Sequence, residues 1–332
     1  AAIFAVRAVG GALSSWQAFR ATKAKAETAQ QLKLTRKAEA DYARSQTELG
    51  INFRKLGEKT LNLGQSQEAF DFFTSMNVIQ QRLAAADPTN IGIQSDLSRS
   101  FDRLGDVALQ LGRTLDAHEF YQKGLTIRQT LFDADATNVN VQVDLGLSFE
   151  HVGTALLQQG RTREGIDYYL KGLSVYQRLA ESEPANVAAR RGLSVGYSKL
   201  GDASMLLGQS KKAHEYYRSA HEIQQRRAAA EPGDVKAQHD LGASFGRFGN
   251  AMLKLGDSKA GIDSYRSMNE TFQRMVNNDP NNMSLQRDLN NSFLKLGDGM
   301  QQHGQTSQAL DVYLKANRSH QRLVNDDPSA QA

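Results

Sequence analysis

The side chains able to do chemistry are few in this chain, and their spacing points away from catalysis. There is no cysteine among the 332 residues, which removes disulfides, thiol nucleophiles and thiolate metal ligands and leaves the compartment unreadable from redox chemistry. Of the seven histidines, which include His118, His151, His214, His221 and His303, no pair stands at metal-ligand spacing on one helix face with a carboxylate. His214 and His221 are seven positions apart, a poor chelate. The glycines recur as widely spaced punctuation, with no phosphate-cradling loop. Five tyrosines, Tyr121, Tyr169, Tyr217, Tyr265 and Tyr313, recur at a fixed interval. Such a column could stack nucleic-acid bases, but aromatics at helical spacing far more often fill the contact between helices. No enzyme, cofactor, metal or small-molecule substrate is expected.

Charge narrows the partners further. Lys and Arg number 40 against 36 Asp and Glu, a formal net charge of +4. Residues 1–47 hold eight of the basic and three of the acidic residues, so the rest carries 32 against 33 and is neutral. A nucleic-acid binder concentrates its basic patch on the folded body, so no nucleic-acid partner is expected. Proline is scarce (5) and Ala, Leu, Gln, Lys, Arg and Glu dominate, a composition that favours helix.

The elements that carry these residues show themselves through self-similarity. Leu49, Leu97, Leu145, Leu193, Leu241 and Leu289 recur with a constant step of 48 residues. Gly57, Gly105, Gly153, Gly201, Gly249 and Gly297 form one glycine column, and Gly64, Gly112, Gly160, Gly208, Gly256 and Gly304 a second. Aromatics repeat at Phe53, Phe101, Phe149, Tyr197, Phe245 and Phe293, and again at Phe73 with the five tyrosines; small residues repeat at Ala69, Ala117, Gly165, Ala213, Gly261 and Ala309. Within a unit, Leu97, Phe101, Leu104, Ala108 and Leu111 keep three- and four-residue steps, Gly112 interrupts, and Ala117, Tyr121, Leu125 and Leu131 resume them. Each unit is therefore a helix, a short turn and a second helix. Pro88, Pro184, Pro232, Pro280 and Pro328, each after an acid, close the second helix, and Ala136 takes the proline's place in one unit. The first glycine column sits inside a helix, where it costs about 1 kcal/mol relative to alanine; its recurrence implies a partner helix approaching closely, opposite the small-residue column.

An aromatic, a Leu-Gly pair three residues on, then a small residue, an aromatic and a closing proline, here Phe101, Leu104-Gly105, Ala117 and Tyr121, resemble the tetratricopeptide repeat (TPR) family. The resemblance covers residues 49–332 and implies an all-α, right-handed α-solenoid of six helix-turn-helix repeats (49–96, 97–144, 145–192, 193–240, 241–288 and 289–332). The family's unit is about 34 residues. The surplus here falls in two stretches of seven, about two helical turns each, at the end of the second helix and the start of the next, so both arms of each hairpin lengthen at one edge. That edge carries the column Gln81, Gln129, Gln177, Gln225, Gln273 and Gln321.

The resemblance further implies a groove lined by the first helices that takes a peptide or partner helix. The position before the Leu-Gly pair gives a basic ladder, Lys55, Arg103, His151, Lys199, Arg247 and Lys295, spaced to meet carboxylates as in the family's carboxylate-clamp members. Of the clamp's asparagines only Asn250 is matched. The other reading pairs the ladder with Glu58, Asp106, Asp202 and Asp298, three residues later on the same helix, as simple surface partners. The groove floor would be Leu61, Leu109, Leu157, Met205 and Leu253, which serve equally well as core.

The ends differ from the body. Residues 1–20 are mostly apolar and small but include Arg7, end near Trp16 and are followed by Arg20, Lys23 and Lys25. A span needs about 20 apolar residues, so this segment reads as a membrane-anchor remnant or interfacial helix, or else as an amphipathic surface helix; the basic flank favours a cytoplasmic body. Residues 21–48 read as a charged helical arm running into the first repeat. The sixth unit turns polar, with Gln301, His303 and Ser319 where Leu253, Leu255 and Ile223 stand earlier, as a terminal repeat does. The expected function is a non-catalytic scaffold for another protein or peptide, on the cytoplasmic face of a membrane, touching it through residues 1–25, or in the cytoplasm. A permanently packed subunit of a membrane-associated assembly, its contact made by the glutamine column, and the sensor region of a larger signalling enzyme are the alternatives.

Overall fold

Helix ends are written into each unit by two residue types. The computed structural model describes the backbone of residues 2–326 and the side chains of residues 16, 20 and 22–321. Every described element is helical. α1 runs from Ala2 to Asn62 over 61 residues. The first helices of the later hairpins are α3 (Ile91–Gln110), α5 (Val139–Gln158), α7 (Val187–Leu206), α9 (Val235–Lys254) and α11 (Met283–Gln302). The second helices are α2 (Ser66–Ala86), α4 (Thr114–Ala134), α6 (Thr162–Ser182), α8 (Ser210–Ala230), α10 (Ser258–Asn278) and α12 (Thr306–Asp326). First helices begin on an Asn or Asp whose side chain accepts backbone N–H groups of the first turn, as Asn186 does from Ala189 and Asp234 from Lys236 and Ala237, satisfying donors the helix leaves open. Each described hairpin turns at a glycine of the second column with φ between +69° and +87°, the left-handed region where a Cβ is strained. The acids before Pro88, Pro184, Pro232 and Pro280 leave the helical region, as Glu183 does at φ −130° and ψ 76°. Asp135, which precedes Ala136, ends its helix in the same conformation, so the proline reinforces a stop that the sequence makes without it.

The chain divides into two compact units, Ala1–Val107 and Ala108–Ala332, both built of consecutive antiparallel helices. The architecture is an all-α solenoid of TPR-like hairpins behind a long N-terminal helix. The 48-residue register counted from Leu49 starts six residues inside each first helix after α1, since α3 begins at Ile91 and the second unit of the register at Leu97. Along α1, residues 22–42 are exposed throughout. Among the described residues no helix is long and apolar enough to cross a membrane; most side chains of segment 1–20, read above as an anchor remnant, lie outside the described residues.

Hairpins close by seating an aromatic ring on a glycine, as at Gly57, Gly153, Gly201, Gly249 and Gly297. A Cβ added at Gly201 would stand 2.4 Å from the Tyr217 ring, at Gly153 2.6 Å from Tyr169, and at Gly57 2.7 Å from Phe73. The expected close approach is real, but the ring of the second helix causes it more than the small column does; the small residues matter at Gly153 and Gly249, where the carbonyls of Gly165 and Gly261 also come within 3.0 Å and 3.1 Å of an added Cβ. The lengthened arms pack by the same logic. Gly146 takes the Tyr176 ring, Gly242 the Phe272 ring, and where serine stands instead, Ser194 receives a hydrogen bond from the buried Gln224 amide. Replacing Gly201 by alanine should therefore destabilise the fold by about 1–3 kcal/mol through overpacking, against the roughly 1 kcal/mol that helix propensity alone would gain. Urea titration decides the sign.

Candidate functional site

The basic ladder lies on the first helices, and the structure gives most of it a partner in the preceding hairpin. Arg103 Nη2 stands 3.5 Å from Glu58 Oε1, and Arg247 Nε 3.5 Å from Asp202 Oδ1. Lys199 Nζ donates to Thr154 Oγ1 at 3.1 Å, and Lys295 Nζ to Asn250 Oδ1 at 3.5 Å. The receiving residue is the position three after the ladder in the previous unit, so the intrahelical pairing expected as the alternative is secondary: Arg103 reaches its own Asp106 only at 4.0 Å. The His151 ring lies 4.9 Å from that of Tyr121 between centroids, tilted by 31°. Lys55, at the start of the array, is exposed.

The receiving residues also fix the tyrosine column. Tyr217 donates to Asp202 at 2.7 Å and Tyr313 to Asp298 at 2.6 Å; Tyr265 donates to Asn250, and Tyr169 is 3.1 Å from Thr154 Oγ1. Burial pushes the Tyr169 and Tyr265 hydroxyls up to about 12, and the hydrogen bond to Asp298 does the same for Tyr313. These phenols stay protonated and act as donors. The rings lie under the next hairpin's cation, with Lys199 Nζ 5.7 Å from the Tyr169 centroid and Lys295 Nζ 6.0 Å from that of Tyr265. Tyr121, Tyr169, Tyr217 and Tyr265 are core, as their helical spacing implied, and Tyr313 is partly buried at its edge.

Where a ladder cation meets a neutral acceptor, its charge is left for something else. Lys295 is such a case, and it faces an open cleft of about 450 Å³ lined by Met205, Asn250, Leu253, Lys254, Tyr265, Lys295, Asp298 and Gln302. The cleft joins two floor residues, Met205 and Leu253, to one ladder residue and spans three consecutive hairpins. Two cations face one carboxylate there, and that carboxylate already receives the Tyr313 hydroxyl. The remaining floor residues, Leu61, Leu109 and Leu157, are half-buried; Leu157 packs with Tyr169 and Leu173 in the core. The floor is thus part core, part cleft wall.

The glutamine column keeps to its own helix except at Gln177, which reaches the next hairpin. Gln129 bonds Asp133 at 2.9 Å, Gln273 bonds Asn277 at 3.0 Å, Gln81 bonds Asn77, and Gln177 donates to the Tyr197 hydroxyl at 3.2 Å; Gln81, Gln225 and Gln321 are exposed. Gln129 also lines a second cleft of about 330 Å³ with Phe149, Tyr168 and Lys171. The contacts between hairpins that sequence reading missed lie four residues earlier: Asn77 donates to Ser100 at 2.7 Å, Asn269 to Ser292 at 2.8 Å, and His221 Nδ1 lies 2.9 Å from Ser244 Oγ. Asn77, Asn269 and Asn317 share one register position, and the serines another, so the signal was present in the repeat.

One ionisable group in this region stands apart. Glu150 on α5 is 3% exposed, and its Oε1 has no hydrogen-bond partner among the described residues. Burial raises its carboxyl to about 7, against the opposing fields of Lys199, His151 and Arg191. Among the described residues no group of three His, Asp or Glu could hold a metal ion. A carboxyl raised on folding stabilises the fold fully below its unfolded value near 4.5 and loses that contribution as pH rises through about 7. Glu150→Gln should therefore match the parent near pH 4.5 and be more stable above pH 7, by up to about 3 kcal/mol, in thermal melts across that range.

No protein-family model matches the chain, and no curated protein matches it in sequence. Solved structures do resemble it. BtubC (BKLC) from P. vanneervenii superposes with a TM-score of 0.61 at 14% identity, over 78% of this chain and 92% of that one. A kinesin light chain of Podosopora anserina with nearly identical TPR-like repeats gives 0.50 at 16% identity, over 69% and 96%. Aspartyl phosphate phosphatase F from Bacillus subtilis gives 0.52 at 16% identity over 82% of this chain, which spans 60% of that protein. At these identities the likeness is one of fold, and the chain is a TPR-like helical-repeat protein in that sense.

Proposed function

We propose that the chain is a non-catalytic protein-interaction scaffold whose cleft beside Lys295 binds an acidic, partly apolar segment of a partner protein. The observation that carries this reading is the cleft itself. It offers Met205 and Leu253 to an apolar side chain, and Lys254 and Lys295 to a carboxylate within reach of it. Charge-assisted bonds from lysine to carboxylate are stronger than those to neutral acceptors, and Lys295 currently has a neutral one. Arg103 and Arg247 are held by carboxylates of the preceding hairpin, so they position the hairpins and leave ligand contact to the cleft. TPR-like folds host many partners, and the fold adds only that the first helices of neighbouring hairpins supply such surfaces.

A membrane-proximal placement belongs to the same proposal. Trp16 is exposed with the Arg20 guanidinium 4.1 Å from its ring centroid, and Lys23 and Lys25 follow, a combination suited to an anionic lipid surface.

Two measurements check these statements. In fluorescence anisotropy against a library of short peptides carrying an acid beside a leucine or phenylalanine, the parent should bind a subset. Lys295→Glu and Met205→Glu should each weaken that binding at least about tenfold, while Gln225→Glu on the lengthened edge should not; equal binding by all four proteins would sink the cleft assignment. Separately, the chain should cosediment with phosphatidylserine-containing vesicles and lose this on removal of residues 1–25. Unchanged sedimentation after that removal rejects the membrane contact and leaves the cleft untouched.

A further inference from the structure

The first and last hairpins carry the two halves of the joint that links neighbouring hairpins, and among the described residues nothing lies against either half. Inside the array the joint has three parts. A cation of one hairpin reaches the receiving residue of the hairpin before it, as Arg247 reaches Asp202. An apolar residue one position after the cation is buried against the preceding second helix, as Leu200 is in the cluster with Tyr169 and Leu173. An Asn or His of the preceding second helix meets a small polar residue of the following first helix, as Asn269 meets Ser292.

The first hairpin shows the following half with nothing against it. Lys55 is exposed and paired with no acid among the described residues. Leu56 is 43% exposed, where its counterparts Leu104, Val152 and Leu200 are 2%, 0% and 0%. Asn52 stands at the register of Ser100 and Ser292 and is exposed. The last hairpin shows the preceding half. Asp298 holds the Tyr313 hydroxyl as Asp202 holds that of Tyr217; Lys254 and Lys295 line the same cleft, but no ion pair to Asp298 forms among the described residues. Leu310 is 58% exposed, where its counterpart Ile262 is 2%. Leu294 is 42% exposed, where Glu150 at the same register is 3%. Asn317, at the register of Asn77 and Asn269, is exposed. A surface meant only for water would be polar at these positions; these two faces keep exposed leucines beside opposite charges.

We propose that the occupant of each face is the other face of a second copy of this chain, so that copies join head to tail with Lys55 of one on Asp298 of the next and Leu56 on Leu310. Such a joint uses two different surfaces and therefore propagates into a ring or an open filament instead of stopping at a dimer. It is looser than the internal joints. Lys59 occupies the register of Ala155, Ala203 and Ala251, all fully buried, and its long side chain holds the two helices apart, with its ammonium over the Tyr313 ring. Association is accordingly reversible and concentration-dependent.

The test is sedimentation velocity of the full chain over a range of concentrations. The parent should show mass rising with concentration. Lys55→Glu and Asp298→Lys should each reduce the association constant at least about tenfold, and mixing the two variants should restore it, since the native Asp298 of the first meets the native Lys55 of the second. Leu310→Asp, tested for an unchanged circular dichroism spectrum, should also give a monomer. A parent that remains monomeric throughout overturns the proposal and assigns the faces to a different partner. So does association that survives both charge reversals, which would place the contact in the exposed arm of α1, and so does failure of the mixture to recover.

Discussion

Everything in this molecule depends on an aromatic ring lying flat against a position where the facing helix has no side chain. Tyr217 on Gly201 and Tyr169 on Gly153 bring the two helices of a hairpin close enough for the phenol to reach the residue that follows the glycine. With a Cβ in the way the ring would tilt, and the hydroxyl would lose Asp202 or Thr154. Interiors pack at near-crystalline density, so a contact this tight sets the helix spacing along the whole hairpin. The second tight contact, Tyr176 on Gly146 or Phe272 on Gly242, repeats the device about two turns into the lengthened arms.

The same phenol links packing to charge. By binding the receiving side chain it fixes the oxygen that the next hairpin's ladder cation also approaches, Asp202 Oδ1 for Arg247, Asn250 Oδ1 for Lys295 and Thr154 Oγ1 for Lys199. The ladder is thus first a row of fasteners. Its identity varies with the acceptor: arginine stands opposite Glu58 and Asp202, lysine opposite Thr154 and Asn250. Exposed pairs of this kind contribute little each, so they set register more than stability. The lysines opposite neutral acceptors keep a net charge for other purposes. For Lys199 that purpose is internal, because it faces the buried Glu150 carboxyl. For Lys295 it is the cleft.

Variation between hairpins follows size and polarity as matched sets. Leu173 packs against Gly196, while Asn77, His221 and Asn269 each meet a serine. Glu150 departs from this matching. It is buried without a hydrogen bond for one oxygen, at a register filled elsewhere by Ser198 or Gly246, and desolvating a carboxylate is costly. The fold tolerates it because Lys199, His151 and Arg191 surround it, and each hairpin's stability is a local sum with its neighbours.

The sequence alone determined the elements. Period, glycine punctuation, acid-proline stops and the 48-residue step gave the hairpins, the turn positions and the location of the added turns, because these depend on backbone preferences and on contacts inside one unit, which recur with the unit. The tyrosines' role as core was equally legible from their spacing. Tertiary structure alone decided what each ladder cation faces. A one-dimensional reading sees Glu58 three residues from Lys55 and takes them as a pair, whereas packing sets Glu58 beside Arg103, 45 positions on. It likewise showed that Met205, Leu253 and Leu157, at one register position, all pack at the edge of the core, and that Met205 and Leu253 also wall a cleft. Register assigns a residue to a helix face; whether that face meets water, a neighbour or a cleft depends on the volumes packed around it, and those come from other units.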